Sequence, residues 1–193
     1  MLSTFSEEKL DPRVKRTRQL LEQAFTEAIS EKGFQSISVQ DITERAGVNR
    51  ATFYAHFEDK YALLDHTIRQ GFRQEIEKRM LSVCSFSMDN LGNLIAAVGE
   101  YLLNLSSHCK PAAPQFELLV ENQVRAQLQE ILLKWTEQSE CEGSAKTAAT
   151  AASWALYGLA LEWSHDKKRV PVEQFAAETL PLIAWNLKLK EPA

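Results

Sequence analysis

Glycine and proline are scarce in this chain, seven and six among 193 residues. With so few helix breakers and with Ala, Leu, Glu and Gln abundant, the composition predicts an all-α fold. Cysteine is scarcer still. Cys84, Cys109 and Cys141 are odd in number, widely spaced and without CxxC or metal-ligand spacing, which leaves free thiols in a reducing compartment. The N-terminus has no basic-then-apolar pattern, and no run of about 18 apolar residues occurs, so a cytoplasmic chain that does not enter a membrane is expected. Catalytic signatures are missing as well. There is no Ser/His/Asp order, no paired-carboxylate helix motif, no HExxH and no phosphate-cradling glycine loop, and His56, His66, His108 and His165 are scattered. An enzyme, a cofactor and a bound metal are therefore not expected. The net charge of −4 argues against an indiscriminate nucleic-acid binder, but leaves room for a small basic face. At 45% hydrophobic and 25% charged the chain has the apolar content for an ordinary globular core.

What is present is organised around Ser38–Lys60, SVQDITERAGVNRATFYAHFEDK. Two short helices flank an Ala46-Gly47-Val48 turn. Ser38 caps the first, with Asp41 three residues on completing a capping box, and Asn49 caps the second. Helices of about eight residues are marginal alone and must be held by neighbours, and the pair reads as a helix-turn-helix. Val39, Ile42 and Ala46 are the expected buried positions of the first, and Val48 is an expected buried turn residue. Phe53 and Phe57, four apart, send one face of the second to the core.

Upstream, residues 1–10 read as a flexible arm. Asp11-Pro12 starts a helix that stops at Gly33, with Val14, Leu21, Ala24, Phe25, Ala28 and Ile29 on one face. Its first turns carry Arg13, Lys15, Arg16 and Arg18. Four cations there oppose the positive end of the helix dipole, so they stand where a helix built for stability alone would place acids. A solvated surface explains them, and so does contact with phosphates beside a helix-turn-helix. On the second short helix the outer face holds Ala51 and Ala55, flanked by Tyr54, with Arg50 at its N-terminal end. Alanine methyls permit close approach and can meet thymine methyls in a major groove. Arg50 suits a guanine edge or a phosphate. Thr52, Tyr54 and His56 carry hydrogen-bonding groups suited to phosphates, and the competing reading of His56 is a polar core or cap residue.

The run ISVQDITERAGVNRATFYAHFEDKYALL resembles the DNA-binding domain of the TetR (tetracycline-repressor-like) family of bacterial transcriptional regulators. The resemblance lies in the gap from Gly33-Phe34 to Val39, in Ile42 with Ala46-Gly47-Val48, and in Thr52-Phe53-Tyr54, His56-Phe57 and Lys60. It covers about residues 12–72. Ala51 stands where the family often has Gly, and Ala55 where it often has Tyr or another large residue. The resemblance implies a three-helix DNA-binding domain over 11–58, continuing with the start of a fourth helix to about 72, and an effector-binding and dimerisation bundle over 59–193. It implies that Ser38, Gln40, Asn49, Arg50, Ala51, Thr52, Tyr54, Ala55 and His56 lie at operator DNA, and that Lys60 meets a phosphate. Arg13, Lys15 and Arg16 join that set. It further implies a fourth helix acting as a lever, a homodimer through the last two helices, and release by a small-molecule effector.

The fourth helix is expected from about Lys60 to Leu81, with Asp59 as its cap. Asp89 is the expected cap of the next. A kinked or broken helix over 115–139 comes next, then an Ala-rich helix over 144–166 and a Pro181-kinked helix over 172–188. The last two are the expected dimer interface. Aromatic residues on these helices supply the effector candidates: Tyr101, His108, Phe116, Trp135, Trp154 and Tyr157. Aromatics at helical spacing are also ordinary core, and Trp154, Trp163 and Trp185 suit the core or the interface alike. The competing readings are a helical-bundle enzyme or ligand-binding protein without DNA function, and a regulator controlled by a protein partner. The Arg13–Arg18 cluster beside the Arg50/Ala51/Tyr54/Ala55 face favours DNA, because an enzyme has no need of it.

Overall fold

The structure, a computed structural model, describes residues 11–79, 85–108, 114–138 and 143–187. All three cysteines, the N-terminal arm and the connections at 80–84, 109–113 and 139–142 lie outside the described residues, as does the His108 side chain. Among the described residues the fold is all-α. The helices are α1 (Pro12–Lys32), α2 (Val39–Ala46), α3 (Arg50–His56), α4 (Lys60–Arg79), α5 (Met88–His108), α6 (Pro114–Gln138), α7 (Ala145–His165) and α8 (Val172–Leu187). A single 3-10 turn, Phe34–Ser36, joins α1 to α2. No helix among the described residues is long and apolar enough to cross a membrane.

The chain divides into two compact units, and the boundary falls inside α4, between Thr67 and Ile68. In the first unit, α1 buries Leu21, Ala24, Phe25, Ala28 and Ile29. Asp11 caps it by accepting from the Arg13 amide at 2.8 Å, with Pro12 at the first helical position. It ends at Gly33, whose φ of 76° and ψ of 152° only glycine adopts without strain.

In the second unit α5 packs on α7 and α8, and α6 packs on α7. Leu91, Leu94, Ile95 and Val98 of α5, Val124, Leu128 and Trp135 of α6, and Leu156 of α7 form the buried centre. Asp59 caps α4, accepting from the Tyr61 and Ala62 amides at 2.8 Å each. Two expectations need correction. Ser87, not Asp89, caps α5: its carbonyl accepts from the Leu91 amide at 2.9 Å and its Oγ from the Asn90 amide at 3.0 Å. Asp89 sits one residue inside, in the first turn, where its charge favours the helix dipole. And α6 is one continuous helix of 25 residues, because after Pro114 it contains neither proline nor glycine.

Candidate nucleic-acid interface

The site is built on α2 and α3, and short-range polar contacts set both. At α2 the Ser38 Oγ accepts from the Asp41 amide at 3.2 Å while the Asp41 carboxylate accepts from the Ser38 amide at 2.8 Å, a complete capping box. Lys32 Nζ lies 2.6 Å from Asp41 Oδ1, so the last turn of α1 is tied to the first turn of α2. These donors hold the Asp41 carboxyl far below the usual carboxylate range, Lys32 first and Ser38 next. At the other end of α2, Arg45 reaches back to Glu31 with Nη1 at 2.8 Å and Nη2 at 2.5 Å. That pairing lowers the Glu31 pKa and raises that of Arg45. Two exposed pairs contribute little to stability in water. Their consequence is orientation, since α2 is pinned to α1 at both of its ends.

Gly47 ends α2 in the left-handed conformation at φ 67°, ψ 29°. The Val48 amide donates to the Thr43 carbonyl at 3.0 Å, closing the turn. Asn49 then caps α3, its Oδ1 accepting from the Thr52 amide at 2.7 Å and the Thr52 hydroxyl at 3.0 Å. Ile42 and Phe53 are fully buried, Phe57 is 7% exposed, and the Phe53 and Phe57 rings lie 6.0 Å apart. Val39, Ala46 and Val48, expected inside, are only half-buried, while Thr43 is buried with its hydroxyl on the Gln40 carbonyl at 3.1 Å. Burial of a fully enclosed phenylalanine contributes about 1.5–3 kcal/mol, so Phe53 holds a seven-residue helix that could not persist alone.

With Phe53 inward, Arg50, Ala51, Tyr54 and Ala55 are exposed, and Tyr54 keeps 51% of its surface. Arg50 Nη2 donates to the Tyr54 hydroxyl at 3.4 Å, and its guanidinium lies 6.0 Å from the Tyr54 ring. A cation and a phenol thus stand together on a helix that also exposes two alanine methyls. Arg13, Lys15 and Arg16 are exposed on the first turns of α1, and Ser38 and Gln40 are exposed at the start of α2, where the Gln40 amide donates to Glu44 at 2.8 Å. Thr52 and His56 are half-buried. Burial lowers the His56 pKa, and the nearby Arg18 guanidinium lowers it further. A neutral imidazole is what neutral pH leaves there.

Lys60 does not point outward. Its ammonium donates to the carbonyls of Ile37 at 2.9 Å, Phe34 at 3.2 Å and Gln35 at 3.4 Å, and lies 4.8 Å from the Phe34 ring centroid. It clasps the turn that joins α1 to α2, and burial lowers its pKa. The residues that sequence reasoning missed are the tethers: Lys32, Arg45 and Glu31, and His66, whose Nε2 lies 2.8 Å from Glu22. None of these pairs shares a helix face or a cap, so no periodic signal marks them.

The effector candidates belong to the second unit. Tyr101 donates its hydroxyl to the Ile68 carbonyl at 3.1 Å and packs on Phe72 at 5.3 Å. Phe116 and Trp135 are buried. Tyr157 is buried too, and that burial, with Glu121 close by, pushes its pKa up to about 12. Trp154 lies on the surface, half exposed, with the Arg125 guanidinium 3.5 Å above its ring. Two clefts, of about 540 and 400 Å³, open elsewhere, between α5 and α8 and between α5 and the turn after α7. The five candidates whose side chains are described line neither. Among the described residues no three His, Cys, Asp or Glu side chains converge as metal ligands would.

Residues 20–67 match the family model described as "Bacterial regulatory proteins, tetR family". The chain is 32% identical over 102 residues to an uncharacterized HTH-type transcriptional regulator, YxbF, of Bacillus subtilis, covering 51% of this chain and 27% of that protein. It is 29% identical over 125 residues to the HTH-type transcriptional repressor KstR2 of Rhodococcus jostii, covering 63% and 60%. The chain thus spans less than two thirds of these curated relatives. A TetR-family regulator from Streptomyces coelicolor is similar in fold, with a TM-score of 0.64 at 19% identity over 92% of this chain and 97% of that one. So is the transcriptional regulator FadR from Bacillus subtilis, solved with stearoyl-CoA, with a TM-score of 0.56 at 16% identity over 86% and 96%.

Proposed function

We infer that the chain, of which residues 20–67 match the model of the TetR family of bacterial regulatory proteins, is a DNA-binding transcriptional repressor working as a homodimer. The observation that carries this reading is the α3 surface: Arg50 paired to Tyr54, with Ala51 and Ala55 also exposed, on a helix anchored by Phe53 and capped by Asn49. Small side chains admit a groove wall, and the Arg/Tyr pair supplies donors for a base edge or a phosphate. Arg13, Lys15, Arg16, Ser38, Gln40 and Asn49 complete the contact set, chiefly to phosphates, with Thr52 and His56 at its margin. Lys60 is left out, since its donors are occupied by carbonyls.

The partner copy is assigned to α7 and α8. Trp185 is 82% exposed and Leu182 55% on α8, and Trp154 is 51% exposed on α7 beside the exposed Ala151 and Gly158. Large apolar side chains left in water across two neighbouring helices mark a surface that another protein covers. A two-fold dimer reads a palindromic operator. A small molecule bound in the second unit would release it by preferring the conformer that binds DNA poorly, with a typical coupling of about 1–3 kcal/mol. Helix α4 contributes residues to both units and is the element assigned to carry that coupling.

The test is selection of bound duplexes from random DNA, followed by titration at several salt concentrations. A symmetric site is expected. Arg13→Ala or Arg16→Ala should weaken binding to every sequence and flatten the salt slope by about one. Arg50→Ala should change which bases matter. Leu182→Asp should yield monomers with reduced DNA affinity. Absence of binding to any duplex at low salt defeats the reading.

A further inference from the structure

The cleft of about 400 Å³ beside the turn after α7 has the composition of a ligand site. Trp163, largely buried, is among its lining residues, and its indole is held on two sides. The indole Nε1 donates to the Val170 carbonyl at 3.0 Å, and the ring stacks on Phe175 with centroids 5.0 Å apart. Gly99 of α5 makes room for this stack, since a Cβ there would come within 3.2 Å of the Trp163 ring and 3.4 Å of Phe175. The walls are aliphatic, from Leu103, Val170 and Pro171.

Two cations stand at this apolar pocket. Arg169 lies with its guanidinium 5.8 Å from the Trp163 ring, braced by donation from Nη1 to the Asp166 carbonyl at 3.2 Å. Lys167 is exposed and makes no ion pair or hydrogen bond among the described residues. Asp166 makes no ion pair with either among the described residues; its Oδ1 accepts from the Lys168 amide at 2.8 Å and so shapes the turn. Glu100 also lines the cleft, but its carboxylate is forked by Arg79, Nε to Oε2 at 3.0 Å and Nη2 to Oε1 at 2.5 Å, which also lowers its pKa. One acid is already paired, and two cations remain for something else.

We propose that the cleft lined by Trp163, Lys167 and Arg169 binds a small organic anion, a carboxylate whose short apolar body lies against Leu103, Val170 and Pro171 while its charge meets the two cations. The volume is at the lower end of ligand pockets, which run about 300–1,000 Å³. A planar fork and a point charge together suit a carboxylate, and charge-assisted hydrogen bonds are the strong ones. Binding at this site does not depend on the DNA-binding reading, and only its use as the effector site would rest on that reading.

The probes are hexanoate and benzoate, with hexanamide and benzamide as neutral counterparts of the same shape, titrated calorimetrically into the full chain. Both acids should bind saturably with one site per chain, and the amides at least about tenfold more weakly. Lys167→Gln and Arg169→Gln, both at exposed positions, should each lower acid affinity about tenfold and leave the weak amide binding unchanged. The proposal is overturned if neither acid binds at millimolar concentration, if acids and amides bind alike, or if both variants bind the acids as the parent does. DNA titration in the absence of any acid tests the regulator reading separately.

Discussion

Replacing Lys60 with Met separates two roles that one lysine cannot fill at once. The resemblance to DNA-binding relatives implies a phosphate contact. In the structure the ammonium instead bridges the carbonyls of Phe34, Gln35 and Ile37. Methionine keeps the length and apolar character of the stem, so the change removes the charge and its three donors with little loss of packing. A hydrogen bond to a charged group contributes about 1.5–3 kcal/mol. Of the three, the contact at 2.9 Å has full strength, the one at 3.2 Å part of it, and the one at 3.4 Å little. Removing the ammonium also relieves its desolvation, which is the cause of its lowered pKa. The balance is a loss of about 2–3 kcal/mol. Urea unfolding monitored by circular dichroism, at fixed protomer concentration, should show the midpoint falling by about 1 M with the slope unchanged. Operator binding, measured where the variant is fully folded, should keep its salt slope. The reasoning is refuted by the opposite pair of results: stability unchanged within about 0.5 kcal/mol, with a salt slope reduced by about one.

Backbone conformation and burial each support a further prediction. Gly47→Asn should cost little, because its φ of 67° and ψ of 29° are left-handed, a region asparagine tolerates and which has no atom within 4 Å of a Cβ. Gly33→Asn should cost about 1–3 kcal/mol by thermal or urea unfolding, because its ψ of 152° lies where only glycine is at ease, and equal costs would refute the argument. Tyr157 should ionise near pH 12 by ultraviolet absorbance, and Tyr157→Phe should abolish that step. Since its folded pKa is raised above the unfolded value, its contribution to stability is complete below about pH 10 and is lost as pH rises to about 12; a single tyrosine transition near pH 10 for the folded protein would contradict this.

The α2–α3 segment was legible because its determinants are local. A cap and its partner lie three residues apart, the paired phenylalanines four, and the turn is one glycine, so Ser38, Asp41, Gly47, Asn49, Phe53 and Phe57 announce their places in a linear string. The tethers were not legible. Lys32 finds Asp41 nine residues away, Arg45 finds Glu31 fourteen away, and Lys60 finds carbonyls more than twenty away. Nothing in the side chain of a lysine distinguishes one that will meet phosphate from one that will clasp a turn. That choice is made by where the Phe34–Ser36 turn places its carbonyls, and helical periodicity contains no information about them.

In the second unit the difficulty is different. Helical spacing groups residues by face, but it does not say which of two apolar faces meets the core. On α7, Ala149, Ala152, Leu156 and Ala160 are buried, while Ala151, Trp154 and Gly158 form a second apolar face that remains in water. Trp135 and Trp154 therefore read alike in sequence, although one is fully enclosed and the other half exposed. The sequence pattern also directed attention to aromatics within helices, whereas the surroundings of the buried Trp163 are completed by the turn beyond the end of α7. Residues 166–171 turn back so that Val170 accepts the indole hydrogen and Arg169 comes over the ring. A turn has no period, and its cations look like ordinary surface charge until the chain is folded over them. This is why the cleft beside Trp163 is lined by none of the five effector candidates whose side chains are described.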